Sequence, residues 1–289
     1  MEQEQVLKAR IANLTELRGL FQALRALAGS RLQEAQSALE GIRSYAEIIA
    51  AALADALALQ AGAQPFDFGG GAALVVMGAE HGFVGGLNLQ LLDEAVRRRR
   101  QGQILVVLGR RAATIAKERG IAVDIEVPMA THVAGVADAA HDLAEVLDQH
   151  ANVDVIFARY RKGGNFEPAF RRLLPPELPA PAQRRGPAPL VQLPPNELLH
   201  RLDLEYIFAA LSQALMDSFA SENAARLRVM ETADRSIADK LVALRLSEND
   251  LRQEAITAEL LDLIVGAQAV ARTGARGEAG EMGGARPPG

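Results

Sequence analysis

Residues 78–88 read GAEHGFVGGLN and follow the apolar run AALVVM. A glycine-rich turn between a strand and a helix is where α/β proteins often hold phosphate on backbone amides. Such chemistry requires one of two patterns. A phosphate loop of the Walker type needs G-x-x-x-x-G-K-[ST], and no Lys-Ser/Thr follows these glycines. The dinucleotide fingerprint needs G-x-G-x-x-G, which Gly78, Gly82, Gly85 and Gly86 do not match. The next apolar run, QILVVLG, ends in Gly109 rather than in an acidic residue able to hold a ribose hydroxyl. Gly82, Gly85 and Gly86, with Asn88, are expected to serve the shape of a tight strand-to-helix turn, without direct nucleotide binding.

Other residues with chemical potential are dispersed. The histidines stand at 81, 132, 141, 150 and 200, without H-E-x-x-H or a comparable ligand spacing. The nine-residue steps between His132, His141 and His150 turn each by about 180° on a helix, so they do not converge. No metal site, cofactor or catalytic set is expected. Cysteine is absent, which removes disulfides and thiolate zinc sites. The run Arg97–Arg100 complements the dipole at a helix end, and the alternative is docking of an acidic partner. In LSENDLRQEAITAEL (246–260), Ser247 and Asp250 either cap a new helix or face solvent on a continuous one.

The elements that must position these residues follow from proline and glycine. Pro65 is the first proline, none lies between Pro195 and Pro287, and residues 187–265 contain no glycine. Both ends are free to be long helices. Apolar residues recur at three- and four-residue steps from Leu7 to Leu53 and again from Leu198 to Leu244, one stripe per helix. About 55 and 75 residues give helices of roughly 80 and 110 Å, too long for a globular core, so each stripe is expected to pair antiparallel with the other. Gly19, Gly29 and Gly41 either weaken the first helix by about 1 kcal/mol each or mark close helix–helix contact.

Between them the period changes. AALVVMG, QILVVLG, IAVDIEV and VDVIFARY are short β-rich runs alternating with helical stretches near 86–100, 110–119 and 132–150, which predicts a parallel, Rossmann-like sheet. The proline-rich segment 175–195 reads as an irregular crossing with an edge strand at PLVQL. The expected fold is α/β: a long antiparallel coiled coil of N- and C-terminal helices with an inserted Rossmann-like α/β domain. Its parts are an N-terminal coiled-coil helix (1–62), the α/β domain (70–195), a C-terminal coiled-coil helix (196–272) and a glycine-rich disordered tail (273–289). Net charge is −5, which argues against nucleic acid as a partner, and EIIAAALADALAL is interrupted by Asp55 well short of a membrane span. The N-terminus lacks the pattern of a signal peptide, so a cytoplasmic protein is expected.

Four stretches together resemble the γ subunits of F-type ATP synthases. AEHGFVGGLN (79–88) is similar to their D-R-G-L-C/A-G-G-L-N. ENAARLRVMETADRSI (222–237) resembles S-E-x-A-A-R-M-x-A-M-x-x-A-T-x-N. RQEAITAELLDLIVGAQAV (252–270) resembles R-Q-A-x-I-T-x-E-L-x-E-I-V-x-G-A-x-A, and RALAGSRLQEAQ (25–36) resembles M-V-A-A-S-K-x-x-x-A-Q. Gln22 replaces a lysine common in the family and His81 an arginine, departures that look like the N-ATPase branch. The resemblance implies a non-catalytic rotor shaft at the cytoplasmic face of the bacterial membrane, coupling ion flow through the c-ring to ATP synthesis or hydrolysis at the β subunits. Its partners would be three α, three β, the ε subunit and the c-ring. Arg226, Arg252, Gln253, Thr257 and Glu259 would touch the β loops. The alternatives are a coiled-coil hinge or scaffold and a Rossmann-type nucleotide-binding enzyme.

Overall fold

The computed structural model describes residues 2–59, 70–161, 165–181 and 191–281. The elements are α1 (Glu2–Leu59), β1 (Gly71–Met77), α2 (Leu87–Arg98), β2 (Ile104–Leu108), α3 (Arg110–Glu118), β3 (Ile125–Val127), α4 (Gly135–Leu147), β4 (His150–Arg161), β5 (Asn165–Leu174) and α5 (Pro195–Glu281). They fall into two compact units, one of residues 21–232 and one of the chain ends, 1–20 with 233 onward.

In the larger unit five strands form one sheet in the order β3-β2-β1-β4-β5. The first four are mutually parallel, joined in sequence through the crossover helices α2, α3 and α4, as the alternation of runs predicted. A fifth strand, which the four β-rich runs did not include, pairs antiparallel with β4. Only residues 162–164 separate the two strands, too few for the crossover that parallel pairing needs. The sequence NFEPAFRRLL concealed this strand, since Pro168 and two arginines interrupt its β character. The expected edge strand PLVQL falls partly outside the described residues, and Val191–Leu193 are not in a strand.

Alternation along the strands divides the core in two. Val75, Met77, Val106, Leu108, Val155 and Phe157 point to one face, where Leu39 and Leu53 of α1, Leu143 of α4 and Leu211, Leu215 and Phe219 of α5 cover them. Leu74, Val76, Leu105, Val107 and Ile156 point to the other, covered by Leu87, Leu91 and Leu92 of α2 and Ala112, Ala113 and Ala116 of α3. Removing one such side chain from water contributes about 1.5–3 kcal/mol.

The terminal helices run antiparallel in both units. In the larger one Arg43 bonds Asp217 at 2.6 Å and Arg25 meets Glu231 at 3.3 Å. In the smaller one Arg18 bonds Asp234 at 2.8 Å. Numbers on α1 fall as those on α5 rise. A Cβ on Gly19, Gly29 or Gly41 would meet nothing within 4 Å, so these glycines do not mark close contact, leaving the weakening of α1 as their effect. Helix α5 is continuous through Ser247, whose hydroxyl donates to the carbonyl of Ala243 at 3.2 Å instead of capping a new helix. It reaches Glu281, beyond the expected boundary at 272, because alanine, arginine and glutamate sustain a helix that is already propagating. The rest of the expected tail, and residues 60–62 of the first helix, lie outside the described residues. Among the described residues no helix is long and apolar enough to cross a membrane.

Because the chain has no cysteine, introduced thiols are unique. Arg18→Cys with Asp234→Cys is expected to crosslink with a short bifunctional reagent, and Arg18→Cys with Leu202→Cys to remain uncrosslinked. The opposite pattern on a denaturing gel would contradict the antiparallel register.

Candidate functional site

The glycine-rich turn begins where β1 stops. A Cβ on Gly78 would lie 2.2 Å from the Ala112 Cβ and 3.0 Å from Asn88 Oδ1, so only glycine lets α3 approach this closely. Asn88 is buried and its Oδ1 accepts the amide of Ala79 at 2.8 Å, tying the end of β1 to the first turn of α2. Phe83 has φ 61° and Gly85 φ 58°, so the left-handed backbone falls on one glycine and one phenylalanine. Neither Gly82 nor Gly86 has positive φ, and the only neighbour within 4 Å of a Cβ on either is the Gln90 side chain, 3.6 Å from Gly86. Of the four expected turn residues, Gly85 adopts the left-handed region and Asn88 is hydrogen-bonded to the turn. Gly78 and Gly109 were not among them. Gly109 has φ 93°, and a Cβ there would lie 2.5 Å from the Ala79 carbonyl oxygen.

In a doubly wound sheet the ligand crevice opens at the C-terminal strand ends where the order reverses, here between β1 and β4. Side chains of α5 fill that place. Ser218 Oγ accepts the amide of Ala158 at 3.2 Å and donates to the carbonyl of Met77 at 3.4 Å, bridging the two strands as they part. Ser221 Oγ donates to the Ala158 carbonyl at 2.9 Å, and Asp217 accepts the Tyr160 amide at 3.2 Å. At the N-terminus of α3, where a phosphate would be met, the chain places its own carboxylate. Glu80 Oε2 accepts the amides of Arg110 at 3.1 Å and Met129 at 3.0 Å, while Oε1 pairs with the Arg110 guanidinium. Burial pushes the Glu80 carboxyl up, but the Met129 amide and the Arg110 donors together outweigh burial and hold it below the usual carboxylate range.

One turn along, α5 grips the same loop. Glu222 Oε2 accepts the Glu80 amide at 3.3 Å. Arg226 pairs with Glu222 Oε1 at 2.5 Å and donates to the carbonyls of His81 at 3.3 Å and Gly82 at 3.2 Å. The Arg226 side chain is 8% exposed. The Arg226 guanidinium thus supplies donors to two carbonyls of the chain's own turn.

The remaining candidates separate into committed and free groups. Arg97 and Arg98 pair with Glu94, and Arg98 also lies over the Phe170 ring at 4.3 Å. Arg99 bonds Asp124 at 2.8 Å and the Gln103 and Ala122 carbonyls, and Arg100 approaches Asp154 at 4.0 Å. The arginine run therefore fastens the end of α2 to its surroundings. The histidines do not converge: His132 lies beside Thr131 at 3.3 Å, His141 stacks on Phe208 at 4.9 Å, and His150 abuts Gly71. Among the described residues no group of three His, Asp or Glu could hold a metal.

In the smaller unit Arg252, Gln253, Thr257 and Glu259 are all exposed on α5. Thr257 Oγ1 donates to the Gln253 carbonyl at 2.8 Å. Arg252 lies within electrostatic reach of Glu4 on α1. Around them Ile256, Leu260, Leu261, Leu263, Ile264 and Val265 are each at least half exposed, a concentration of aliphatic surface beyond the single scattered residues normal on a protein exterior. The sequence reading missed Glu80, Asp217, Ser218, Ser221 and Glu222 as a group. The signal was the polar run DS…SEN on an otherwise apolar helix stripe, which needs polar partners across the core.

The family model described as ATP synthase matches residues 3–270. An ATP synthase gamma chain of Hyphomonas neptunium is 29% identical over 286 residues, covering 91% of this chain and 98% of the relative. One of Paracoccus denitrificans is 29% identical over 290 residues with the same coverage. Among solved structures, a chain of the rotor of the Euglena gracilis mitochondrial ATP synthase aligns with a TM-score of 0.60 at 13% identity, covering 88% of this chain and 99% of that one. A chain from the central stalk and c-ring of the Tetrahymena thermophila enzyme aligns with a TM-score of 0.55 at 17% identity, covering 74% of this chain and 99% of that one. These structural likenesses show the fold.

Proposed function

The chain belongs to the ATP synthase gamma-chain family, and on that premise we propose that it is the central rotor shaft of an F-type ATP synthase. The antiparallel helix ends stand within a ring of three α and three β subunits, and the α/β domain sits at the foot against the ε subunit and the c-ring. Ion flow turns the foot, and the asymmetric shaft presents a different face to each β subunit in turn. Catalysis belongs to the β subunits. The chain itself is a non-catalytic part, peripheral to the membrane at its cytoplasmic face. Gln22 and His81 favour the N-ATPase branch.

The observation that carries this reading is the exposed surface of α5 between residues 252 and 265. Arg252 and Gln253 are exposed beside half a dozen exposed aliphatic residues, a surface suited to an apolar sleeve with a few polar grips. The nucleotide-binding reading is disfavoured because α5 side chains and Glu80 already occupy the crevice and the α3 amide that a nucleotide would use.

If Arg252 and Gln253 grip the β subunits, Arg252→Ala with Gln253→Ala leaves the melting temperature of the isolated chain nearly unchanged, as exposed substitutions do. ATPase turnover of the complex reconstituted with its α and β subunits falls about three- to tenfold, which corresponds to roughly 0.7–1.4 kcal/mol on the barrier. Unaltered turnover and assembly would remove this pair from the contact surface.

A further inference from the structure

We propose that Glu222 and Arg226 form a latch that fixes the rotational position of α5 against the glycine turn, so that movement of the α/β domain reaches the shaft helix. The proposal rests on the rotor reading and adds the residues that carry force between the foot and α5.

Three successive backbone groups of the turn, the amide of Glu80 and the carbonyls of His81 and Gly82, are all held by this one ion pair. One turn further along α5, a Cβ on Gly85 would lie 3.6 Å from Val229 Cγ2, so the turn rests on the helix beyond the latch as well. On its other side the turn meets α1, where the rings of Phe83 and Phe21 stand edge to face at 6.2 Å. The turn continues β1 directly, Gly78 donates its amide to the Leu108 carbonyl of β2 at 3.0 Å, and Ala79 is tied to Asn88 of α2. Sheet, turn and α5 are thus joined through backbone atoms, whose positions are fixed far more closely than those of surface side chains.

A buried ion pair is a weak source of stability, since desolvation of both charges offsets their attraction. The Glu222 and Arg226 side chains are 5% and 8% exposed, so this pair bears that cost. Burial energy does not account for keeping it, but directional bonding does. An apolar pair could fill the same volume but would leave the Glu80 amide and the His81 and Gly82 carbonyls without their partners on α5.

The test uses the complete complex in vesicles, measuring ATP hydrolysis with the ion gradient collapsed and ATP-driven ion uptake. Arg226→Lys keeps the charge beside Glu222 but cannot serve both carbonyls in the same fork. Glu222→Leu with Arg226→Met removes the charges at similar volume. In both variants the ratio of ion uptake to hydrolysis is expected to fall, by about fivefold in the double variant and by less in Arg226→Lys. A wild-type ratio, or equal loss of both activities, would overturn the latch, because a purely structural role lowers both together. If the double variant does not assemble, Arg226→Lys decides alone. Failure of the wild-type chain to restore hydrolysis and uptake would instead overturn the rotor reading.

Discussion

Glu80→Ala is expected to destabilise the α/β domain by about 3 kcal/mol, the cost of stranding buried donors whose charged partner is removed. The carboxylate is 3% exposed and accepts the amides of Arg110 and Met129 at 3.1 and 3.0 Å. Met129 is itself buried, so its amide would lose this acceptor away from water. For a domain of this size the loss lowers the melting temperature by roughly 6–12 °C. Arg110→Ala is the internal control. That guanidinium is 77% exposed, so its removal should cost less than about 1 kcal/mol. Equal losses in the two variants would mean that the surface ion pair, not the buried amides, matters. The pH dependence has a definite sign. The Glu80 carboxyl is held below its ordinary value of 4.5, so its contribution is fully present above 4.5 and disappears as pH falls through the lower folded-state value. The gap between wild type and Glu80→Ala in urea titrations therefore narrows on acidification below 4.5. A gap that widens there would contradict the assignment.

Gly109→Ala is expected to cost about 3–4 kcal/mol. Its φ of 93° lies where a side chain adds roughly 1–2 kcal/mol of strain. The new Cβ would also press on backbone, 2.5 Å from the Ala79 oxygen and 2.6 Å from its carbon, and overpacking of that kind costs about 1–3 kcal/mol. The neighbours cannot yield, since Ala79 is hydrogen-bonded to Asn88 and the Gly109 amide to the Val127 carbonyl at 2.9 Å. Gly82→Ala, with open space and no positive φ, should be neutral or should stabilise by up to about 1 kcal/mol through the unfolded chain. Chemical denaturation of the two variants distinguishes a turn shaped by these contacts from one that merely tolerates glycine.

Much of the architecture was legible because it rests on period. The stripes of α1 and α5 repeat at helical steps over many turns, and four β-rich runs alternate with helices, so the paired helices and the sheet between them followed from residue order. The β4–β5 hairpin was not legible, because Pro168, Arg171 and Arg172 make β5 look like loop, and what fixes it is its pairing with β4. The site was less legible than the fold. Counting glycines located the turn but not which of them are needed, since that depends on φ and on what α3 and Ala79 bring close. Arg226 and Arg252 look alike as arginines on one helix. Only the approach of the turn to α5 makes the first an internal clamp and leaves the second on the surface. Likewise, no spacing rule links Glu80 with Glu222, or Ser218 with Met77 and Ala158, which meet only when α5 folds over the crevice.

The most direct test of the shaft role is rotation of this chain inside its ring. With no native cysteine, a single thiol at exposed Thr114 of α3 can carry a bead while the α and β subunits are held to a surface. A chain that works as the shaft will turn in one direction on addition of ATP, pausing at thirds of a turn set by the three-fold ring. A bead that only fluctuates, on complexes that are assembled and hydrolysing ATP, would contradict it.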